Sequence, residues 1–191
     1  MNKKTKFILA ITGASGVHLG LRLASFLPTD YEIYLVMSSS AKIALELEQS
    51  TSNNSTKTSL PTNPNITILN DSDISSCIAS GSFGAHKMVI IPCSMNTLAK
   101  ISVGISDTLI TRAFSVMLKE NKDILIAPRE MPFSQIALEN MLKLSRLGVV
   151  IAPPVMAYYS EQQTLDEMEN FIIGKWFDLL GINNNLYKRW E

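Results

Sequence analysis

Cysteine and histidine are scarce in this sequence of 191 residues, which contains two of each. Cys77 and Cys93 provide no disulfide framework and suit a reducing compartment. His18 and His86 lie far apart and lack the cysteine or carboxylate neighbours that a zinc site requires. We therefore expect a cytoplasmic protein with neither disulfides nor a bound metal.

An excess of charge of one sign is also missing, because 17 Lys and Arg residues balance 17 Asp and Glu residues. Proteins that bind nucleic acids or anionic membranes normally carry a basic excess, so we expect neither partner. No apolar run reaches the ~20 residues that span a bilayer, and the apolar stretch near the N terminus is too short for a signal peptide. The charged fraction of 18% and the positive mean hydropathy indicate a homo-oligomer, with part of the surface buried against sister subunits.

Short apolar runs alternate with longer helical patterns, which is typical of a parallel sheet covered by helices on both faces. The predicted strands are residues 6–11, 31–37, 66–69, 87–92, 123–127 and 149–152. The predicted helices are residues 17–27, 41–49, 73–79, 107–120, 135–147 and 164–180. We expect one doubly wound α/β domain over residues 1–191, of the Rossmann or flavodoxin type, with a polar surface insert at about residues 50–65.

Glycine and hydroxyl residues follow several of the predicted strands, at the edge where such sheets bind ligands. Gly13 and Gly16 open a turn in which the backbone could approach a phosphate, although a tight strand–helix connection would look the same. Nearby hydroxyls suit the phosphate and ring edge of FMN, and they are equally common as helix N-caps. They belong to Ser15, Ser38, Ser94 and Thr97.

Two other nucleotide ligands fit poorly. The spacing of Gly13, Gly16 and Gly20 does not match the dinucleotide fingerprint, and no acidic residue follows the strand that ends at Met37. A Walker lysine is also missing. Hydride transfer with NAD and nucleotide hydrolysis are therefore disfavoured.

Short fragments follow one another in a fixed order from the first strand to the C terminus. They are TGASG at 12–16, MS at 37–38, ASGSF at 79–83, PCSMNTL at 92–98, TR at 111–112, PREMP at 128–132, PP at 153–154, AYY at 157–159 and RW at 189–190. The ordered set resembles the UbiX flavin prenyltransferase family. That family is part of a superfamily named for its similarity to homo-oligomeric flavin-containing cysteine decarboxylases. Each fragment alone is weak evidence, but the occurrence of all of them in this order is specific to the family.

The resemblance implies an enzyme that joins the dimethylallyl group of dimethylallyl monophosphate to N5 and C6 of reduced FMN without a metal. The product, prenylated FMN, would serve a decarboxylase of the UbiD type, for instance in ubiquinone biosynthesis. The family's assembly implies a dodecamer in which neighbouring subunits contribute to each site.

Motif matching also implies site residues. The implied FMN contacts are Gly13, Ala14, Ser15, Ser38, Ser94, Met95, Asn96, Thr97 and Arg129. The implied contacts of the substrate phosphate are Arg112, Lys119, Arg129, Tyr159 and Lys175. The implied catalytic residues are Glu48, Glu130 and Ser15. Lys175 stands where many relatives have arginine, and His18 stands where they often have small or apolar residues, so we expect His18 to pack rather than to catalyse.

The chemistry explains the need for cations, because breaking an allylic C–O bond leaves an anionic phosphate that Arg and Lys can hold. Arg112 and Lys119 lie seven residues apart on one predicted helix face, although an ordinary solvated face would show the same spacing. The run Asp71-Ser72-Asp73 is too sparse for a magnesium–diphosphate site, which favours a monophosphate donor.

Two alternative functions stay open. An FMN-dependent cysteine decarboxylase would share the fold and the cofactor, but it would use a histidine on the early helix and a tryptophan after the Met-Asn motif. Here Met95-Asn96 is followed by Thr97-Leu98 without a tryptophan. A non-enzymatic flavin carrier would need the FMN contacts but not Arg112, Lys119 and Lys175.

Overall fold

The computed structural model describes residues 4–51 and 64–190, so most of the predicted insert lies outside the described residues. Within those ranges, no helix combines the length and apolar character needed to cross a membrane. The strands are β1 (Thr5–Ile11), β2 (Tyr31–Met37), β3 (Ile66–Asn70), β4 (Lys87–Cys93), β5 (Asp123–Pro128) and β6 (Val150–Ile151). The α-helices are α1 (Val17–Phe26), α2 (Ser39–Thr51), α3 (Met95–Ser102), α4 (Leu109–Lys119), α5 (Gln135–Arg146) and α6 (Leu165–Leu179).

The six strands form one parallel sheet in the order β3-β2-β1-β4-β5-β6. The chain winds outward from β1 in one direction and then returns to place β4 on the other side of β1. This is the order of a doubly wound Rossmann sheet, and it confirms the predicted fold class. The strand order reverses between β1 and β4, so their carboxyl ends flank the position where such sheets bind ligands.

The sheet is buried on both faces because successive side chains of a strand point to opposite sides. Phe7, Leu9 and Ile11 of β1 pack in the core beneath α1, α2 and α6. Ile8 and Ala10 pack in the second core beneath α3, α4 and α5. The strands are apolar along their whole length because a helix layer covers each face of the sheet.

The predicted and observed helices differ at two places. The helix α3 was not predicted, because it has only eight residues and begins directly after the strand motif ends. The helix predicted at 73–79 is wrong, since only a short 3₁₀ turn at Cys77–Ala79 forms there. A capping box begins α6 where the sequence predicts a helix start: the Thr164 hydroxyl accepts the N–H of Glu167, whose side chain reaches back to the backbone of Thr164.

Thr12 joins β1 to β4 at the point where both strands end. Its N–H donates to Pro92 O at 3.1 Å, and its hydroxyl donates to the same oxygen at 2.9 Å. The hydroxyl also accepts the N–H of Ser94 at 2.8 Å. Since Thr12 is buried, water cannot replace these bonds, and they fix the two strand ends relative to each other.

His18 does not simply pack, contrary to the expectation from its sequence position. Its Nε2 lies 2.6 Å from Glu169 Oε1 on α6, and its Nδ1 lies 3.7 Å from Glu48 Oε2 on α2. Glu169 also binds Arg22 Nη1 of α1 at 2.9 Å, and Arg22 binds Asp166 at 2.6 Å. The hydrogen bond to Glu169 raises the pKa of His18 despite partial burial. A charged network thus ties α1, α2 and α6 together.

Replacing Thr12 by valine keeps the shape of the side chain but removes the hydroxyl. We expect the free energy of unfolding to fall by about 1–3 kcal/mol, because the partly buried N–H of Ser94 loses its acceptor. Chemical denaturation of Thr12→Val and of the control Thr12→Ser, which keeps the hydroxyl, measures the effect. Equal stability of Thr12→Val and the wild type would contradict this role.

Replacing His18 by glutamine removes a charge that titrates. Because the folded pKa of His18 is raised above its ordinary value, near 6.5, its charge stabilises the fold fully below that value. This stabilisation is lost as pH rises through the raised pKa. The difference in Tm between wild type and His18→Gln should therefore be larger at about pH 6 than at about pH 9.

The control for this comparison is Arg22→Gln, which removes a neighbouring positive charge from the same network, because guanidinium groups keep their proton in proteins. Its difference in Tm from the wild type should stay similar at both pH values. A difference for His18→Gln that does not change with pH would show that the imidazole contributes no charge to the network.

Candidate functional site

A cavity of about 370 Å³ opens at the carboxyl ends of β1, β2 and β4, where the strand order reverses. Its size falls within the usual range for small-molecule sites, ~300–1,000 Å³. Its lining is mostly hydroxyl-bearing and consists of Thr12, Gly13, Ser38, Ser39, Ser40, Asp71, Ser94, Met95, Asn96, Thr97, Lys100, Thr108, Ile110 and Thr111.

The turn between β1 and α1 has glycines for two different physical reasons. A Cβ atom added to Gly13 would lie 2.3 Å from Ser40 Cβ, so only glycine lets this turn pack against the start of α2. Gly16 has a φ of 91°, in the left-handed region that disfavours other residues. The N–H of Gly16 donates to Glu48 Oε1 at 2.6 Å, which brings the end of α2 to the same turn.

Three helices begin at the wall of the cavity, namely α2, α3 and α4. A hydroxyl caps each of them: Ser38 for α2, Ser94 for α3 and Thr108 for α4. The first N–H groups of a helix have no acceptor within the helix, and the helix dipole is positive at this end. The cavity therefore collects three positive helix ends, an arrangement that favours an anion.

The start of α4 is already occupied by a carboxylate of the protein. Asp71 Oδ1 accepts the N–H of Ile110 at 2.9 Å, and Asp71 O accepts the N–H of Leu109 at 2.8 Å. Among the described residues, no group of three or more His, Cys, Asp or Glu side chains is placed to hold a metal ion. Asp71 thus caps the N terminus of α4. An anion in the cavity would therefore meet the N termini of α2 and α3 rather than that of α4.

Lys100 is the one cation among the residues described as lining the cavity. Its Nζ binds Asp107 Oδ2 at 2.6 Å, and Asp107 Oδ1 accepts the Thr111 hydroxyl at 3.4 Å. The hydrogen bond from Lys100 lowers the pKa of Asp107, which keeps this carboxylate ionised. The side chain of Lys100 is 28% exposed, so the ion pair lies at the rim rather than in the core.

Most of the predicted flavin contacts lie together in the cavity wall: Gly13, Ser38, Ser94, Met95, Asn96 and Thr97. The remaining three lie outside that wall. Ala14 and Ser15 belong to the β1–α1 turn, where Ser15 is exposed. Arg129 is exposed just after β5, and its N–H donates to Cys93 O at 3.2 Å.

The predicted catalytic carboxylates lie outside the cavity wall and on different elements, Glu48 on α2 and Glu130 after β5. Glu48 sits beside the Ser15 turn through its bond to Gly16 and is partly buried. Glu130 is exposed, and its Oε1 accepts the N–H of Met131 at 3.1 Å. No ion pair between Arg129 and Glu130 forms in the described part of the chain, so neither charge neutralises the other.

The two predicted phosphate contacts on α4 are exposed and about 10 Å apart along the helix axis. Arg112 Nε donates to Ala79 O at 3.2 Å, close to the cavity residue Thr111. Lys119 forms an ion pair with Glu120 at the other end of the helix. A single chain therefore does not bring both cations to one point.

Tyr159 and Lys175 lie near the C terminus, in a cluster of rings and charges. The Tyr159 ring makes edge contacts with Phe171 at 5.8 Å and with Trp190 at 5.3 Å between centroids. Lys175 Nζ lies 3.9 Å from Asp178 Oδ2. Burial opposes the ionisation of Asp178, but hydrogen bonds from Arg189 and other groups lower its pKa overall. These residues lie outside the cavity wall.

The sequence assigned no ligand contact to the other residues of the cavity wall, namely Thr12, Ser39, Ser40, Asp71, Lys100, Thr108, Ile110 and Thr111. Ser39 and Ser40 belong to the same strand end as Ser38 and could have been included on that ground. Lys100 follows Thr97 by three residues, a spacing that carries meaning only once α3 is known to be helical.

The protein is similar to known flavin enzymes. It matches the Flavoprotein family over residues 1–176. The flavin prenyltransferase UbiX of Helicobacter pylori strain J99 is 51% identical over 187 residues, which cover 97% of this chain and 98% of the relative.

Two crystal structures are similar over nearly their whole length. AnUbiX in complex with FMN and dimethylallyl pyrophosphate has a TM-score of 0.88 and 35% identity, covering 98% of each chain. A dodecameric FMN-dependent UbiX-like decarboxylase from Escherichia coli O157:H7 has a TM-score of 0.87 and 38% identity, covering 98% of this chain and 100% of the other. The protein therefore belongs to the flavoprotein family and, within it, to the flavin prenyltransferases of the UbiX type.

Proposed function

We propose that this enzyme transfers the dimethylallyl group of dimethylallyl monophosphate to N5 and C6 of reduced FMN in the cytoplasm. The released product, prenylated FMN, is then taken up by a decarboxylase of the UbiD type. The observation that carries the proposal is the cavity at the strand reversal, whose wall contains six of the flavin contacts predicted from the UbiX motifs: Gly13, Ser38, Ser94, Met95, Asn96 and Thr97.

The cavity wall fits a flavin that bears a phosphate. Positive helix ends and short hydroxyls at Ser38, Ser94 and Thr97 suit phosphate oxygens, and Gly13 allows close approach of the backbone. When bound, reduced FMN supplies an electron-rich ring that accepts the prenyl group. The chain's task is then to hold that ring beside the donor and to exclude water from the developing allyl cation.

The donor phosphate needs cations that a single subunit keeps apart. Arg112 and Lys119 lie on α4, Arg129 follows β5, and Tyr159 and Lys175 lie near the C terminus. We propose that neighbouring subunits of a dodecamer bring these residues together. The dodecameric relative supports this assembly, and so do exposed large apolar side chains such as Met131 and Tyr158, at 90% and 85% exposure.

Glu48, Glu130 and Ser15 handle protons in this proposal. Closing the new ring bonds the alkene of the attached prenyl group to C6. The alkene takes up one proton and C6 releases one, so a proton donor and a proton acceptor must lie close to these atoms. Glu48 is held on the Ser15 turn by its bond to Gly16, at 2.6 Å, and His18 lies beside it. Glu130 follows Arg129 directly, so the same strand end offers a phosphate contact and a second carboxylate.

Incubation of the protein with reduced FMN and dimethylallyl monophosphate under anaerobic conditions tests the proposal. We expect mass spectrometry to show a flavin heavier by one prenyl unit, together with released phosphate, because the transfer breaks the C–O bond of the donor. A parallel reaction with dimethylallyl pyrophosphate determines which donor is used.

Other outcomes identify the alternatives. An unchanged flavin that stays bound to the protein would indicate a flavin carrier. Oxidative decarboxylation of a peptidyl or pantothenoyl cysteine would indicate a cysteine decarboxylase. Either result would contradict the proposed transfer.

The strand end after β5 yields a second test. Arg129→Ala should lower kcat/KM by at least about tenfold through the lost phosphate contact, and Glu130→Gln should lower kcat by about 100-fold through the lost proton acceptor. Both residues are exposed, so the variants should keep the wild-type Tm.

The matched controls are Arg146→Ala and Glu139→Gln on α5, which remove the same charges elsewhere on the surface. These variants should retain wild-type turnover. Wild-type rates in Arg129→Ala and Glu130→Gln as well would remove both residues from the mechanism.

A further inference from the structure

Lys100 has no part in the reaction as proposed so far, yet it lines the flavin cavity. It lies on α3, three residues after Thr97 and four after Asn96. Residues at these spacings share one face of a helix, and all three line the cavity. The ammonium group of Lys100 therefore belongs to the same wall as the hydroxyl cap of α3.

The charge balance of the cavity is unfavourable for a phosphate without this lysine. FMN ends in a phosphate with nearly two negative charges near neutral pH. Asp71 brings a carboxylate into the same wall, and its Oδ1 already takes the N–H of Ile110 at the start of α4. The ends of α2 and α3 supply only partial positive charges. Lys100 supplies an ammonium group with a full positive charge, which it shares with Asp107.

Asp107 fixes the position of the Lys100 ammonium group, since its Oδ2 lies 2.6 Å from Nζ. Asp107 is itself held by the hydroxyl of Thr111, another residue of the cavity wall. An ammonium group has three donors, so one bond to Asp107 leaves two for a ligand. The ion pair thus positions Lys100 without occupying it.

We propose that Lys100 binds the 5′-phosphate of FMN and that Asp107 acts as its positioning residue. This assignment rests on the proposed binding of FMN in the cavity. It makes Lys100 the residue by which the protein distinguishes FMN from riboflavin, the same flavin without the phosphate.

The test compares the Kd values of FMN and riboflavin, measured by quenching of flavin fluorescence on the intact protein. For Lys100→Met we expect the Kd of FMN to rise by about tenfold or more, because a charge-assisted bond is lost, while the Kd of riboflavin stays unchanged. The preference for FMN should also depend less on salt in the variant than in the wild type, since salt screens the lost attraction. Lys100→Arg, which keeps the charge, should restore most of the preference.

The chain provides a matched control in Lys87→Met. Lys87 forms a similar ion pair with Asp123, at 2.5 Å, where β4 and β5 begin at the opposite edge of the sheet. This variant should bind both flavins as the wild type does. It therefore separates the effect of the cavity position from the general effect of losing a Lys–Asp pair.

The outcomes distinguish the failure of each proposal. Failure of the wild type to prefer FMN over riboflavin would contradict binding of the phosphate in this cavity, and the assignment of Lys100 with it. A preference in the wild type that survives intact in Lys100→Met would overturn the role of Lys100 alone. An equal weakening of both flavins would also overturn it, because Lys100 would then act on the ring or on the fold.

Discussion

The meeting of helix N termini at the strand reversal is the constraint on which the site depends. β1 and β4 end side by side because Thr12 is hydrogen-bonded to both Pro92 and Ser94. That junction fixes the start of α3 at the cavity, and the missing side chain of Gly13 allows the β1–α1 turn to pack against the start of α2. A chain without net charge can bind an anion here because helix N termini and the ammonium group of Lys100 supply a local positive potential.

In the proposed function, the flavin binds in the cavity and the donor phosphate binds to cations on the outer surface. Neutral hydroxyls and helix N termini are proposed to bind the flavin, whereas the cations proposed to hold the leaving phosphate lie on exposed positions such as Arg112 and Arg129. Exposed cations from several subunits can form a donor site only when the subunits assemble. In this account, assembly completes the donor site, while each subunit already contains the cavity for the flavin.

The sequence predicted the parallel sheet well, because continuous apolar strands and glycine turns are local signals. It also predicted Gly13, Ser38 and the segment 94–97, which now line one cavity, and the family indicated by the motifs is confirmed. It missed α3 and therefore Lys100, since a helix of eight residues has too few turns for its periodic pattern to be recognised. The contacts of His18 with Glu169 were also out of reach, because they join residues 151 positions apart. The functional assignment of Tyr159 and Lys175 came from resemblance alone and stays a prediction.

A crystal structure of the protein with FMN would show directly whether the helix N termini hold the phosphate. We expect the phosphate oxygens to lie about 3 Å from backbone N–H groups at the starts of α2 and α3, beside the hydroxyls of Ser38 and Ser94. A phosphate that instead projects into solvent, with these helix ends bound to water, would contradict the claim that converging helix dipoles create the flavin site.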